Sequence, residues 1–249
     1  MKVDFHVHGA LSRKIKFDPS LFRQTLHRAE DCGLDTLALT DHFSCTHFDL
    51  VHRVLDHDYD YVGPYYTSGS LHLLPGLEFE ASDGAHLLAI SDRDSMLTCQ
   101  TRLRRLLDPA GTCPTRAFLD SQRGLRILNM VAHPFRHGRQ PLPSEDDLYS
   151  RFDAVELNAR DLYFRGAEVQ KLTENLSLAH HVPLVAGSDS HHVRQVGTIY
   201  NEFDAPFQSI GELKLLISDG AYSVHIHKAL CDKVAAAREA KRRLTSSSL

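Results

Sequence analysis

Several things this 249-residue chain does not contain narrow its reading first. No run of about 18 or more apolar residues occurs, so no segment is built to cross a bilayer as a helix. The opening MKVDFHVHGA places charge and histidine where a secretion signal needs an apolar stretch. There is no Cys-x-x-Cys pair, and the five cysteines (Cys32, Cys45, Cys99, Cys113, Cys231) are an odd number. Both a disulfide framework and a thiolate metal cluster are thereby disfavoured, and a reduced, cytoplasmic setting is the expectation. Basic excess is also missing. With a net charge of −4, no global positive field recruits nucleic acid or anionic lipid. Tryptophan is absent altogether. Neither internal repeats nor linkers rich in Gly, Pro or Ser interrupt the chain. One domain over 1–249, with 245–249 as a frayed tail, is expected.

The hydrophobic content of 42% and charged content of 24% are those of an ordinary globular protein. Against that background stand 17 histidines. Short β-like runs alternate with helical stretches, which predicts an α/β fold with a largely parallel sheet. Strands are expected at 2–7, 36–40, 71–74, 85–90, 127–132, 154–157 and 183–186. A helix should start at Pro19 behind an Asp18 cap and stop at Gly33. Further helices are expected near 98–107, 114–124, 166–181, 208–218 and 228–244. Segment 43–70 carries Tyr59, Tyr61, Tyr65 and Tyr66 and reads as irregular, with a short helix at 51–55 and tyrosines that pack within the loop.

Placement makes the histidines informative. His6 and His8 flank Val7 on the first strand, and residues two apart on a strand share a face. Thr40-Asp41-His42 closes the second strand, Gly76-Leu77-Glu78 follows the third, and His86 lies on the next. His133 ends the strand after that. Asp189 and His191, again two apart, follow 183–186. In a βα barrel the strand ends converge on one mouth. An H-x-H or D-x-H alone is weak, since single histidines are commonly surface or satisfied core groups. Several polar groups at successive strand ends are different, because each would be costly to bury without a shared purpose. Imidazoles mixed with carboxylates suit Zn, Mn or Fe.

The motifs FHVHG (5–9), TDH (40–42), PGLE (75–78), HLLAI (86–90), AHPFR (132–136), VELNAR (155–160), AGSDSH (186–191) and VGTIYNEF (196–203) resemble, in order, those of the PHP (polymerase and histidinol phosphatase) family. The resemblance implies a distorted seven-stranded, TIM-like (β/α) barrel with two or three divalent ions at its mouth. It assigns His6, His8 and Asp189 to a first ion, and Glu78 as a bridge to a second ion completed by His86 and His133. His42 and His191 would belong to a third, with Asp41 orienting an imidazole from behind. Family members with three metals place another His or Asp in the loop after H-x-H. Here that loop has none before Asp18, and Lys14 falls about where the ligand is missing. Its ammonium, or that of Lys16, is expected to replace part of a third ion's charge.

Two divalent ions about 3.5–4 Å apart would hold a hydroxide for in-line attack on phosphorus. Arg136 and Arg160 should reach the same mouth, where a planar guanidinium suits phosphate. A small phosphate monoester is the expected substrate, such as histidinol phosphate, a nucleotide or a sugar phosphate. A phosphodiesterase or exonuclease, a metal-dependent amidohydrolase, and a metal-binding regulatory module without catalysis are the alternatives. The absence of interleaved basic and aromatic runs argues against a nucleic-acid track. The cluster Arg238, Lys241, Arg242 and Arg243 reads as a solvated helix C-terminus.

Overall fold

The computed structural model describes residues 1–12, 16–138, 142 and 147–246. Its first half contains β1 (Lys2–Val7), α1 (Pro19–Asp31), β2 (Thr36–Leu39), α2 (Phe48–Asp58), β3 (Asp60–Val62), β4 (Tyr65–Ser68), β5 (Leu71–Glu80) and β6 (His86–Ser91). Then come α3 (Arg93–Arg104), α4 (Thr115–Ser121), β7 (Ile127–Ala132), β8 (Ala154–Asn158), α5 (Ala159–Arg165) and α6 (Ala167–His180). β9 (Leu184–Gly187), β10 (Ile199–Phe203), α7 (Ile210–Ser218), β11 (Tyr222–Ile226) and α8 (Leu230–Ser246) complete the described chain. The start of α1 follows the expected chemistry: Asp18 accepts from the Ser20 and Leu21 amides, and Pro19 opens the helix.

The sheet runs β11-β10-β1-β2-β5-β6-β7-β8-β9, with the β3–β4 hairpin branching from β5. A bridge between Val7 and Ser190 brings the end of β1 beside the segment after β9. The mixed sheet is therefore nearly closed and barrel-like. Nine strands lie on its path, against the seven expected, because β10 pairs antiparallel to β1 and β11 to β10. Neither was predicted as a strand, since β11 is short and only half-buried. One hydrophobic cluster joins Val3, Phe5, Leu74, Leu88, Met130 and Val185 from β1, β5, β6, β7 and β9.

Two differences bear on function. First, β5 does not stop at residue 74. It pairs in parallel with β2 up to Leu39↔Pro75, then antiparallel with β6 from Gly76↔Ile90. Pro75 has no N–H to lose, and Gly76 is needed for space. A Cβ there would come 2.9 Å from Thr40 Cγ2 and 3.1 Å from the Leu39 and Ala89 carbonyl oxygens. Second, β6 runs against both neighbours, so its first residue, His86, pairs with Glu80 and Ala132 at their strand ends. Reversal of one strand thus brings a strand-start histidine to the edge where the other strands finish. Segment 43–70 is also more regular than expected, with α2 spanning eleven residues and Tyr65 and Tyr66 buried in β4. The helix expected near 166–181 is α6, and a short helix not expected from the sequence, α5, precedes it and is separated from it by Gly166, whose φ is +55°.

Candidate metal centre

His6 and His8 come from β1 and its end, His42 follows β2, and Glu78 lies in β5. His86 starts β6, His133 follows β7, and Asp189 and His191 follow β9. The fold brings all of these sequence-predicted residues together. His6 Nε2 lies 3.1 Å from His8 Nε2, and His8 Nε2 lies 3.2 Å from Asp189 Oδ1. Glu78 stands between two groups. Its Oε1 is 2.5 Å from His86 Nδ1 and 3.1 Å from His133 Nε2, while its Oε2 is 2.9 Å from His42 Nδ1 and 3.5 Å from both His6 and His8. The His8 and His191 rings are 3.9 Å apart between centroids, and His8 and His42 are 4.8 Å apart. His133 and Asp189 hold φ values of +32° and +51°, a left-handed backbone that non-glycine residues adopt reluctantly and that clusters at functional sites.

This donor set fits divalent cations. His6, His8 and Asp189 offer ligand atoms within 4.8 Å of one another, as do Glu78, His86 and His133, and His8, His42 and His191. A fourth such group is His6, His133 and Glu156. Two nitrogens on one ion at about 2.0–2.1 Å each would stand about 3 Å apart, the separation seen for His6 and His8. Two further ring nitrogens, His86 Nε2 and His133 Nδ1, are buried without a hydrogen-bond partner. Burial pushes His8 down to about 3 and holds His133 and His191 well below the ordinary imidazole range. Burial alone would raise the Glu78 and Asp189 carboxyls. Instead His42 and His133 beside Glu78, and Arg136 and His6 beside Asp189, hold both well below the usual carboxylate range. For His8, His133 and His191 on one side and Glu78 and Asp189 on the other, these are the neutral and ionised states that a metal requires.

Behind these residues is a support that the sequence reading did not single out. Glu156, buried on β8, takes His6 Nδ1 at 2.7 Å with Oε1 and the His133 amide at 2.8 Å with Oε2. Burial opposes charge on His6, but Glu156 and Asp189 outweigh it and raise His6 well above the ordinary range. A carboxylate on Nδ1 fixes the ring and directs Nε2 toward the cluster. Asn158 steadies Glu156 through its Nδ2, 3.1 Å from Oε1. Gly187 leaves room for this contact, since a Cβ there would meet Glu156 Oε1 at 2.1 Å and His6 Cβ at 2.7 Å.

The remaining expected residues fall differently. Asp41 accepts from the Gly9 and Ala10 amides at 2.9 and 3.1 Å. Through these two bonds it fastens the turn after β1. Arg136 reaches the cluster but is already engaged, with Nη2 2.7 Å from Asp189 Oδ2 and Nε 3.1 Å from Asp161 Oδ1. Arg160 is exposed at the start of α5, and among the described residues its guanidinium makes no ion pair. Lys14 lies outside the described residues. Lys16, by contrast, lines a cleft with Leu11, Phe17, Asp18 and Leu244.

A family model described as PHP-associated (PHP_C) matches residues 173–220, a span that includes Asp189 and His191. No curated protein matches the chain. Among solved structures, PsfC from Pseudomonas syringae PB-5123 is similar at a TM-score of 0.80 and 22% identity, over 98% of this chain and 98% of that one. The lesion-specific endonuclease PfuEndoQ from Pyrococcus furiosus is similar at 0.66 and 16%, over 90% of this chain and 57% of that one. An endonuclease Q complex with a 27-mer duplex bearing an abasic lesion gives 0.65 and 17%, over 90% and 58%. An amidohydrolase from Chromobacterium violaceum, with bound sulfate and no metal, gives 0.51 and 14%, over 90% and 98%. These are likenesses of fold. Among the described residues no helix is long and apolar enough to cross a membrane.

Proposed function

This chain belongs to the PHP family, and from that premise we propose that it is a metal-dependent phosphoesterase acting on a small phosphate monoester. The observation that carries the reading is Glu78. One buried carboxylate faces His86 and His133 with one oxygen and His6, His8 and His42 with the other. A shared acid of this kind suits a site for more than one ion. Divalent ions such as Zn, Mn or Fe held there would supply Lewis-acid polarisation of phosphoryl oxygens and a water acidic enough to serve as nucleophile at neutral pH.

The chain's own residues then divide the work. His6, His8 and Asp189 hold one position, Glu78, His86 and His133 a second, and His8, His42 and His191 outline a third. Glu156 keeps His6 Nε2 aimed inward. Arg136 keeps Asp189 ionised and oriented, while Arg160 faces the mouth and receives phosphoryl oxygens. Lys14 is proposed to offset the ligand missing from the third position. Metal analysis of wild type and Lys14→Ala tests that point, and three tightly held ions in the wild type would overturn it.

The functional reading is tested by a panel of phosphate monoesters, phosphodiesters including DNA, and amides, assayed with Zn, Mn and Fe against wild type and His133→Ala. Release of phosphate from monoesters, lost in the variant, supports it. Cleavage of diesters or amides with no monoester turnover would replace it with an alternative.

A further inference from the structure

Helix α8 carries a stripe of buried residues at helical spacing, Leu230, Val234 and Ala237. Leu230 and Val234 pack with Leu157, Leu162, Val169 and Ile199. The next position on that face, four residues beyond Ala237 and about 6 Å further along the axis, is Lys241. A polar helix end in solvent, the expectation from sequence, has no reason to keep a lysine on its inward face. Anchors on either side hold the helix in this orientation. Lys233 Nζ donates to the Val196 carbonyl at 2.9 Å, and the Arg238 guanidinium lies 4.3 Å over the Phe164 ring. Lys241 is consequently half-buried on the face of α8 that packs against Leu162 of α5, the helix that carries Arg160, and it is within electrostatic reach of Asp189, Arg160 and His191.

The acids around it already have another partner. Both nearby carboxylates, Asp189 and Asp161, are contacted by Arg136. Among the described residues neither Arg160 nor Lys241 makes an ion pair, and Lys241 feels the positive charge of Arg160. Burial pushes the Lys241 ammonium down to about 8. A half-buried ammonium without an ion-pair partner, near an arginine that also has none, is stabilised when an anion lies between them. A phosphoryl group fits, since an arginine fork and a lysine point charge are complementary ways of holding its oxygens.

We propose that Arg160 and Lys241 form an oxyanion cradle at the mouth of the cluster, with α8 supplying through Lys241 a residue that determines recognition of the substrate's phosphate. This rests on the phosphoesterase reading but can fail separately from it. The test titrates inorganic phosphate into the full-length, metal-loaded protein by calorimetry, alongside steady-state kinetics on the best monoester. Lys241→Ala should weaken phosphate binding about tenfold or more and raise KM more than it lowers kcat. Lys241→Arg should restore most of the affinity, and Lys228→Ala, at an exposed position before α8, should change neither. Melting temperatures of all variants identify any that fail to fold, and Lys241→Arg then carries the comparison through its KM. Unchanged phosphate affinity and KM in folded Lys241→Ala would overturn the cradle while leaving the phosphoesterase intact. Lys241-dependent phosphate binding without turnover of any ester would keep the cradle and overturn the phosphoesterase.

Discussion

Replacing Glu156 by glutamine keeps its size and removes the anion that faces His6 Nδ1. Metal affinity should fall by about 10–100-fold, the usual consequence of losing a carboxylate behind a ligand histidine. Competition with a metal-sensitive dye measures it, and wild-type affinity would show that Glu156 is structural only. Gly187→Ala attacks the same contact from the backbone side. Its methyl would stand 2.1 Å from Glu156 Oε1, so a stability loss of about 1–3 kcal/mol in urea unfolding is expected, together with weaker metal binding. At this scale the ligands were legible because they come in short motifs at strand ends, such as His6-Val-His8 and Asp189-Ser-His191. Glu156 was not. A lone glutamate inside Ala154–Asn158 reads as any strand residue, and its partner is 150 positions away in sequence. Arg136 was legible as a mouth residue, but its engagement with Asp189 depends on two loops meeting in space.

Elements were read best where the local code is strong, as in Asp18-Pro19 at α1, and worst where tertiary packing overrides it. Pro75-Gly76 looks like the end of a strand, yet β5 passes through because those two residues suit the change from parallel to antiparallel pairing. That continuation carries Glu78 into the cluster. The direction of β6 was likewise invisible, since alternation of side chains does not reveal which way a strand runs. On α2, His52 offers a test of packing. Its ring lies 4.6 Å from that of Phe48, tilted by 51°, and burial pushes it down to about 4, a hydrogen bond with the Gly76 backbone offsetting only part of the effect. Unfolded, it would take up a proton near pH 6.5, which the folded protein refuses until about pH 4. Its contribution is therefore intact above pH 6.5 and lost as the pH falls toward 4. His52→Gln should make the decline in Tm across that window shallower than in wild type. An equally steep decline would show that α2 does not exclude the proton.

For the molecule as a whole, the nearly closed sheet carries histidines and acids from β1, β2, β5, β6, β7 and β9 to one edge, so the metal centre ties distant parts of the chain together. An ion that binds only the folded arrangement stabilises it by mass action, about 2.7 kcal/mol at a hundredfold excess over Kd. Chelation should lower Tm and re-addition of Zn, Mn or Fe should restore it, with no response in Asp189→Ala. A Tm indifferent to metal would mean that the cluster is not a high-affinity site. The central claim is that Glu78 unites the cluster into a metal-dependent phosphoester-hydrolysing centre. Its most direct test is phosphate release from a monoester by chelated, then metal-restored protein. Wild type should lose turnover on chelation and regain it with metal, while Glu78→Gln stays lower by about 100-fold or more under the same restoration. Turnover that survives chelation, or that Glu78→Gln retains in full, would contradict the account.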